Sequence, residues 1–463
     1  MARLVIVSNR VSLPGERGAR AGGLAVALRD VLQQEGSIWF GWSGEIADES
    51  SASPHIADAA GVTYATVDLS RADYQGYYLD FANGTLWPLL HYRLGLIEYK
   101  RRAFERYLAV NRYLARILQP LLRQDDVIWV HDYHLIPFAA GLRDLGVTNR
   151  IGFFLHTPFP PPEVLEALPR HEVLMRTLCA YDLIGFQTTD GVRAFLNYIT
   201  EVAGGRQLGD GWFTAHGKRA RATAFPISID SQHFGELAKR AVVTPEANRL
   251  RKSLADRDLI IGVDRLDYSK GIPNRFEAID SLLSDWPEHR GRFTYLQITP
   301  HSRGEVGQYR ALRRELELAA GRINSKFSEF DWAPIRYINR SLSRQTLAGF
   351  YRIARIGLVT PLRDGMNLVA KEFVAAQNPE DPGVLVLSRF AGAAHELDAA
   401  LLVNPIDVDE VAEAVRRGLS MSLEERRARW SAMIGVLREN TVSTWRDAFI
   451  AALRKPRTMT SAA

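Results

Sequence analysis

The chain has 463 residues, 46% of them hydrophobic and 24% charged, with a formal net charge of +5; this is a globular composition too long for one core, so two or three domains are expected. The mild charge suits anionic small molecules, and no basic stripe marks a nucleic-acid partner. The single cysteine, Cys179, excludes an internal disulfide framework and a Cys-based zinc site. Neither a signal-peptide h-region nor an apolar run of about 18 residues occurs, so a cytoplasmic protein without a membrane segment is expected.

Short apolar runs alternate with longer helical patterns. In chain order the predicted strands are 4–7, 127–130, 151–155, 183–186, 260–263, 294–298, 356–359 and 384–387. Predicted helices cover 103–122, 161–178, 304–324, 409–420 and 423–439. Such alternation predicts an α/β protein with parallel sheets. The extended stretch Pro226-Ile-Ser-Ile-Asp230 precedes a charged, strandless segment, and a second strand–turn pattern begins at Leu259. The expected division is therefore residues 1–232, then 233–440, a closing helix over 441–455 that packs back on the first domain, and a disordered tail over 456–463.

Polar clusters follow several of these strands. Ser8-Asn9-Arg10 comes first, then Gly22-Gly23 before an apolar helix pattern, where the backbone could approach a phosphate. No Gly-x-Gly-x-x-Gly or Walker pattern occurs, so dinucleotide and P-loop readings are weak. His131-Asp132-Tyr133-His134 lacks matched partners at zinc spacing, and Asp132 could bind sugar hydroxyls. His156 is presented on a stiff proline loop. Arg265 and Lys270 flank a polar turn and suit a diphosphate without metal, and Arg303 repeats a basic residue beyond a strand. Most informative is Thr360–Glu372, which joins strand 356–359 to a helix. Arg363, Asp364, Gly365 and Asn367 fall at a strand-to-helix turn, where open α/β sheets bind ligands. The N–H groups of Met366 to Ala370 are expected to be free for an anion, with Glu372 near enough to hold a polyol. Asp407-Val-Asp409 reads as a helix cap rather than a metal motif.

Taken together, the blocks VSNR, AGGL, LWP, WVHDYHL, HTPFP, RLDYSKG, SRG, RDGMNLVAKE and SRFAGA resemble retaining glycosyltransferases of the trehalose-6-phosphate synthase family, from Leu4 to about Leu453. The resemblance implies a GT-B fold, two Rossmann-like domains facing across a cleft. It implies transfer of glucose from UDP-glucose to glucose 6-phosphate, giving trehalose 6-phosphate, without a metal or other cofactor. By motif, Arg10, Tyr78, Asp132 and Arg303 would hold glucose 6-phosphate. Gly22, Gly23, Arg265, Lys270 and the turn Leu368, Val369, Ala370, Lys371 and Glu372 would hold the donor. Asp364 would hold hydroxyls of the moving glucose, with His156 beside it and Trp87 shaping anomer choice. Asp364, His156, Arg265 and Lys270 are thus the catalytic candidates. Leu342 stands where an aromatic residue is familiar, at a position that touches the base through its backbone, which leaves base preference open.

The resemblance implies a front-face displacement; double displacement would want two carboxylates about 5 Å apart, and no residue in these motifs is an obvious nucleophile. A homodimer or homotetramer is expected, with a separate trehalose-6-phosphate phosphatase in the pathway, since the chain carries no credible phosphatase domain. Three readings compete: a glucosylglycerol-phosphate synthase using glycerol 3-phosphate, a pseudo-glycosyltransferase coupling cyclitols, and an inactive sugar-phosphate sensor.

Overall fold

The computed structural model describes residues 3–13, 36–300 and 307–455. They form two compact units, one running to Ile227 and resuming at Val442, the other spanning Ser228–Thr441. The division falls within Pro226–Asp230. Asp230 caps helix Ser231–Ala241 by accepting from His233 N–H at 2.8 Å, so that helix belongs wholly to the second unit.

The first unit is built on a ten-stranded sheet. Its spatial order is His55–Ala59, Val62–Ser70, Ser37–Ala47, Leu4–Arg10, Val127–His131, Arg150–Phe154, Leu183–Phe186, Lys218–Ala224, Trp212–Ala215 and Arg206–Gly209. Neighbours pair in parallel from Val62–Ser70 through Lys218–Ala224, and the pairs at both edges are antiparallel. The apolar runs Leu4–Val7, Val127–Val130 and Leu183–Phe186 are buried along their length, as strands covered on both faces must be. Helix Arg101–Leu118 buries Phe104, Tyr107, Val110, Leu114 and Leu118 at helical spacing. It also grips the loop after Val127–His131: Tyr107 O–H donates to the Tyr133 carbonyl at 2.6 Å, and Asn111 Nδ2 to that of His134 at 3.1 Å.

The helix expected over 161–178 is two helices, Pro162–Leu165 and His171–Leu178. Pro169 has no N–H to give and disfavours helical geometry at Leu168, and Arg170 reverses the chain at φ 63°. Helix Val442–Arg454 closes the first unit. Its Phe449 stacks on Trp129 at 4.5 Å, and Trp445 meets Phe154 edge-on at 5.1 Å. Cys179 is buried, which pushes its thiol up to about 12. The expected tail at 456–463 lies outside the described residues.

The second unit holds a six-stranded, wholly parallel sheet. Its order is Ile335–Ile338, Phe293–Ile298, Asp258–Val263, Ile356–Val359, Val384–Ser388 and Leu401–Val403. Numbered along the chain this is 3-2-1-4-5-6, the order of doubly wound nucleotide-binding sheets. Phe276, Ile279 and Leu282 of helix Ile272–Asp285 join Leu316, Ile323, Val411 and Val415 in its core, each contributing roughly 1.5–3 kcal/mol. Asp407 does cap helix Val408–Ser420, accepting from Glu410 N–H at 2.9 Å. Among the described residues no helix is long and apolar enough to cross a membrane.

Candidate active site

In the first sheet Leu4–Arg10 lies between Ser37–Ala47 and Val127–His131; the connection after it runs to one side, and the connection after Val127–His131 to the other. The carboxyl end of such a pair is a topological switch point, where open α/β sheets take ligands. Arg10 and Asp132 follow the paired residues Ser8 and His131 at this edge. The register shifts between Ser8 and Arg10, which pair with Gly41 and Trp42, so the ladder is irregular at Asn9 just before Arg10. Trp39 Nε1–H donates to Ser8 Oγ at 2.8 Å and Tyr77 O–H to Asn9 Oδ1 at 2.7 Å, which fixes the strand end. The Arg10 guanidinium covers Gly44, at φ 96°, where a Cβ would stand 2.7 Å from Nε and 2.8 Å from Cζ.

Tyr78 lies on Tyr74–Leu86, a segment with π-helical winding, rare in proteins and enriched at functional sites. Its ring stacks on His134 at 5.7 Å and on Tyr74 at 5.5 Å, with Trp42 tilted against it at 5.6 Å. Trp87 follows, buried against His91 and Tyr133 at 4.1 and 5.6 Å between ring centroids.

Asp132 has φ 77° and ψ 165°, a conformation costing a non-glycine residue about 1–3 kcal/mol. Its N–H donates to the Phe154 carbonyl at 2.8 Å, and its Oδ1 accepts from His156 N–H at 3.3 Å. His156 then faces His131, Nε2 to Nδ1, at 3.1 Å. Gln187 orders the proton positions. Its Oε1 accepts from Ile227 N–H at 3.0 Å, which turns its amide nitrogen towards His156 Nδ1 at 3.5 Å. That assigns His156 the Nε2–H tautomer, donating to His131. Burial lowers both rings, His156 to about 3, so the pair stays neutral at working pH.

In the second sheet the switch point lies between Asp258–Val263 and Ile356–Val359. Both expected turns open from it. Arg265 stands exposed just beyond the first strand, whereas Lys270 is buried at the end of the short turn Tyr268–Lys270. Lys270 Nζ lies 2.5 Å from Asp364 Oδ2, and Asn367 Nδ2 donates to the same oxygen at 3.1 Å. The ammonium expected to await a diphosphate is thus already paired with the carboxylate expected to hold the sugar.

Asn367, at φ 79°, caps helix Leu368–Ala376, and its Oδ1 accepts from Ala370 N–H at 3.2 Å. This corrects the expectation of free N–H groups through Ala370: the cap takes that one. Helix geometry leaves the N–H groups of Leu368 and Val369 without an intrahelical acceptor. The turn is pinned from behind, with Asp364 N–H donating to the Phe390 carbonyl at 3.1 Å and Ala393 N–H to that of Met366 at 2.8 Å. Gly392 permits this approach, because a Cβ there would collide with the Gly365 carbonyl. Lys371 points away from the turn into the interior, its Nζ 2.6 Å from Glu396 Oε2.

Glu372 faces Arg344 at 3.7 Å, on helix Arg344–Ile353, whose capping Ser343 follows the half-buried Leu342. About a fifth of its side-chain surface still meets solvent, yet dense surroundings push its carboxyl up to about 7, with Arg344 opposing only in part. The folded protein therefore holds this proton more tightly than the unfolded chain. Its stabilising effect is complete below the ordinary 4.5 and is lost as pH rises through about 7. Glu372→Gln is expected to flatten the fall in thermal midpoint between pH 5 and 8; an unchanged pH slope would count against the assignment.

The remaining expected site residues, Gly22, Gly23 and Arg303, lie outside the described residues.

The chain matches the sequence profile of glycosyltransferase family 20 over residues 3–455. It belongs to that family. Among its relatives is the trehalose-6-phosphate synthase of Sinorhizobium fredii, 52% identical over 448 residues, 96% of this chain and 97% of the relative. An α,α-trehalose-phosphate synthase (UDP-forming) from Burkholderia xenovorans, solved in complex with glucose-6-phosphate, is 51% identical and superposes with a TM-score of 0.95, covering 98% of this chain and all of that one. A trehalose-6-phosphate protein from E. coli bound with UDP-2-fluoro glucose is 47% identical, with a TM-score of 0.93 and coverage of 98% and 99%.

Around the motifs of this family 20 chain stand residues that motif reading passed over. Gly44 and Trp42 surround Arg10 and Tyr78, Gln187 orders His156, and Arg344 faces Glu372. Each lies far in sequence from the residue it serves, and only Gly44, inside strand Ser37–Ala47, carries a local signal, that of a bend or a close backbone approach.

Proposed function

We propose that this chain is a retaining glucosyltransferase that moves glucose from UDP-glucose to glucose 6-phosphate and yields α,α-trehalose 6-phosphate and UDP. The observation that carries the reading is the Lys270–Asp364 pair at the switch point of a sheet in nucleotide-binding order. Membership of family 20 and the ligands of the Burkholderia and E. coli relatives supply the substrate class.

In this reading Arg10, Tyr78, Asp132 and Arg303 hold glucose 6-phosphate, with Arg10 and Arg303 on its phosphate. Arg265, Lys270 and the N–H groups opening helix Leu368–Ala376 meet the diphosphate, Glu372 meets the ribose, and Asp364 the hydroxyls of the moving glucose. The acceptor hydroxyl attacks the anomeric carbon on the face from which the diphosphate departs. The bond from that carbon to the phosphate oxygen breaks, the new glycosidic bond forms, and the departing phosphate takes the proton. Charge develops on the leaving diphosphate, so preorganised cations serve better than an acid–base residue, and no metal is needed. His156, neutral and fixed in one tautomer, serves as a hydrogen-bonding group beside the sugar rather than as a proton carrier. The product stays phosphorylated, so a separate phosphatase would be needed to release trehalose.

The deciding experiment offers UDP-, ADP- and GDP-glucose with glucose 6-phosphate or glycerol 3-phosphate and follows nucleotide release. Turnover is expected with UDP-glucose and glucose 6-phosphate. Turnover with glycerol 3-phosphate alone, or with none of these pairs, would sink the reading. Gly44→Ala tests the acceptor side. The new methyl displaces the Arg10 guanidinium, and losing a charge-assisted hydrogen bond of about 1.5–3 kcal/mol corresponds to roughly a ten- to hundredfold rise in KM for glucose 6-phosphate. The KM for UDP-glucose should stay within about twofold, and an equal rise in both would refute the local explanation.

A further inference from the structure

Arg275 is the one guanidinium among the described residues buried to zero exposure, and no step of the proposed reaction uses it. It sits in the first turn of helix Ile272–Asp285, and its bonds go to four separate segments. Nη2 donates to the Lys270 carbonyl at 2.9 Å, and Nε to Thr360 Oγ1 at 2.9 Å. Nη1 donates to Asp264 and reaches Gln297 Oε1 at 3.4 Å. Gln297 in turn accepts from Tyr295 O–H.

The placement of these acceptors is informative. Asp264 follows the strand Asp258–Val263, Gln297 lies on Phe293–Ile298, and Thr360 opens the segment that carries Asp364. The Lys270 carbonyl belongs to the turn whose ammonium meets Asp364. One rigid fork therefore holds both halves of the Lys270–Asp364 pair from beneath. The two segments also bond directly, with Leu362 N–H donating to the Ser269 carbonyl at 2.8 Å. A buried ion pair is a weak source of stability, because desolvation offsets its attraction. Several acceptors arranged around a planar guanidinium supply geometry instead, and a lysine could not reproduce it.

We infer that Arg275 is a positioning residue for the reaction: it sets the Lys270 turn and the Thr360–Asp364 segment relative to each other, and it acts on turnover through Lys270. This rests on the proposed role of Lys270 at the leaving diphosphate.

The test is a double-mutant cycle on the full chain with Arg275→Lys, Lys270→Ala and the combination, assayed below the thermal midpoint of every variant. Arg275→Lys is expected to lower kcat by roughly 10- to 100-fold, since a displacement near 1 Å costs about that much, while KM for UDP-glucose moves less than about threefold. In the Lys270→Ala background the same substitution should change kcat by less than about threefold. An equal loss in both backgrounds would make Arg275 merely structural and overturn the inference, as would an unchanged kcat in Arg275→Lys. If Lys270→Ala alone leaves kcat intact, the role given to Lys270 falls, and the inference with it. Should Arg275→Lys not fold, Thr360→Val removes one acceptor and leaves the guanidinium in place; its smaller kcat loss must be masked by Lys270→Ala in the same way.

Discussion

Lys270→Ala is expected to lower kcat by about 10²–10³-fold, the loss seen when one preorganised donor is removed from a developing charge. The ammonium is buried, held 2.5 Å from Asp364, and carried on a turn whose carbonyl is bonded from behind by Arg275. A buried cation held by its neighbours is worth more to a developing charge than one on the surface, because water screens it less. The same substitution leaves Asp364 without its ammonium partner and loosens its hold on the sugar. Arg265 is exposed, so Arg265→Ala is expected to lower kcat less. Steady-state UDP release at saturating UDP-glucose and glucose 6-phosphate measures both, and a kcat within threefold of the parent for Lys270→Ala would refute the mechanism.

The largest effect on stability is expected from Lys371→Met. Lys371 lies in the middle of the most telling motif, yet its side chain is wholly buried and its ammonium is 2.6 Å from Glu396. Glu396 also accepts from Asn440 at 3.1 Å, which ties helix Leu368–Ala376 to the end of helix Leu423–Glu439. Burial lowers the Lys371 pKa, and the pull of Glu396 offsets this only in part. Desolvation therefore outweighs attraction within the pair. Breaking such a pair from one side typically costs about 3–5 kcal/mol, whereas neutralising both partners is close to harmless. For a unit of this size that corresponds to a thermal midpoint lower by about 10 °C. Lys371→Met with Glu396→Gln should recover most of the loss. If the double variant is as unstable as the single one, packing rather than an orphaned charge is the cause.

The legible part of this chain was its strand ends. Apolar runs such as Leu183–Phe186 and Ile356–Val359 coincide with the strands, because strands covered on both faces carry no polar residue to blur their limits. Ser37–Ala47, His55–Ala59 and Val62–Ser70 were not legible. They lie towards one edge of the sheet: His55–Ala59 buries no residue, Ser37–Ala47 is buried only over its first half with Gly, Ser and Glu in the rest, and Val62–Ser70 mixes Thr, Asp and Ser with its buried positions. The π-helical segment at Tyr78 escaped for a different reason: its winding departs from the 3.6-residue period that sequence reading relies on.

What the sequence determined by itself was therefore the chemistry of each strand-to-helix turn: Arg10, Asp132, Lys270 and Asp364 each follow a local pattern of apolar run, polar cluster and helix. Which turns become neighbours was decided only by the tertiary structure. The sheet order sets Asp258–Val263 beside Ile356–Val359, and so brings Lys270 to Asp364 across 94 residues of sequence. Arg275, Glu396 and Gln187 gained their roles in the same way, since a hydrogen bond depends on position in space and leaves no trace in the residues adjacent along the chain.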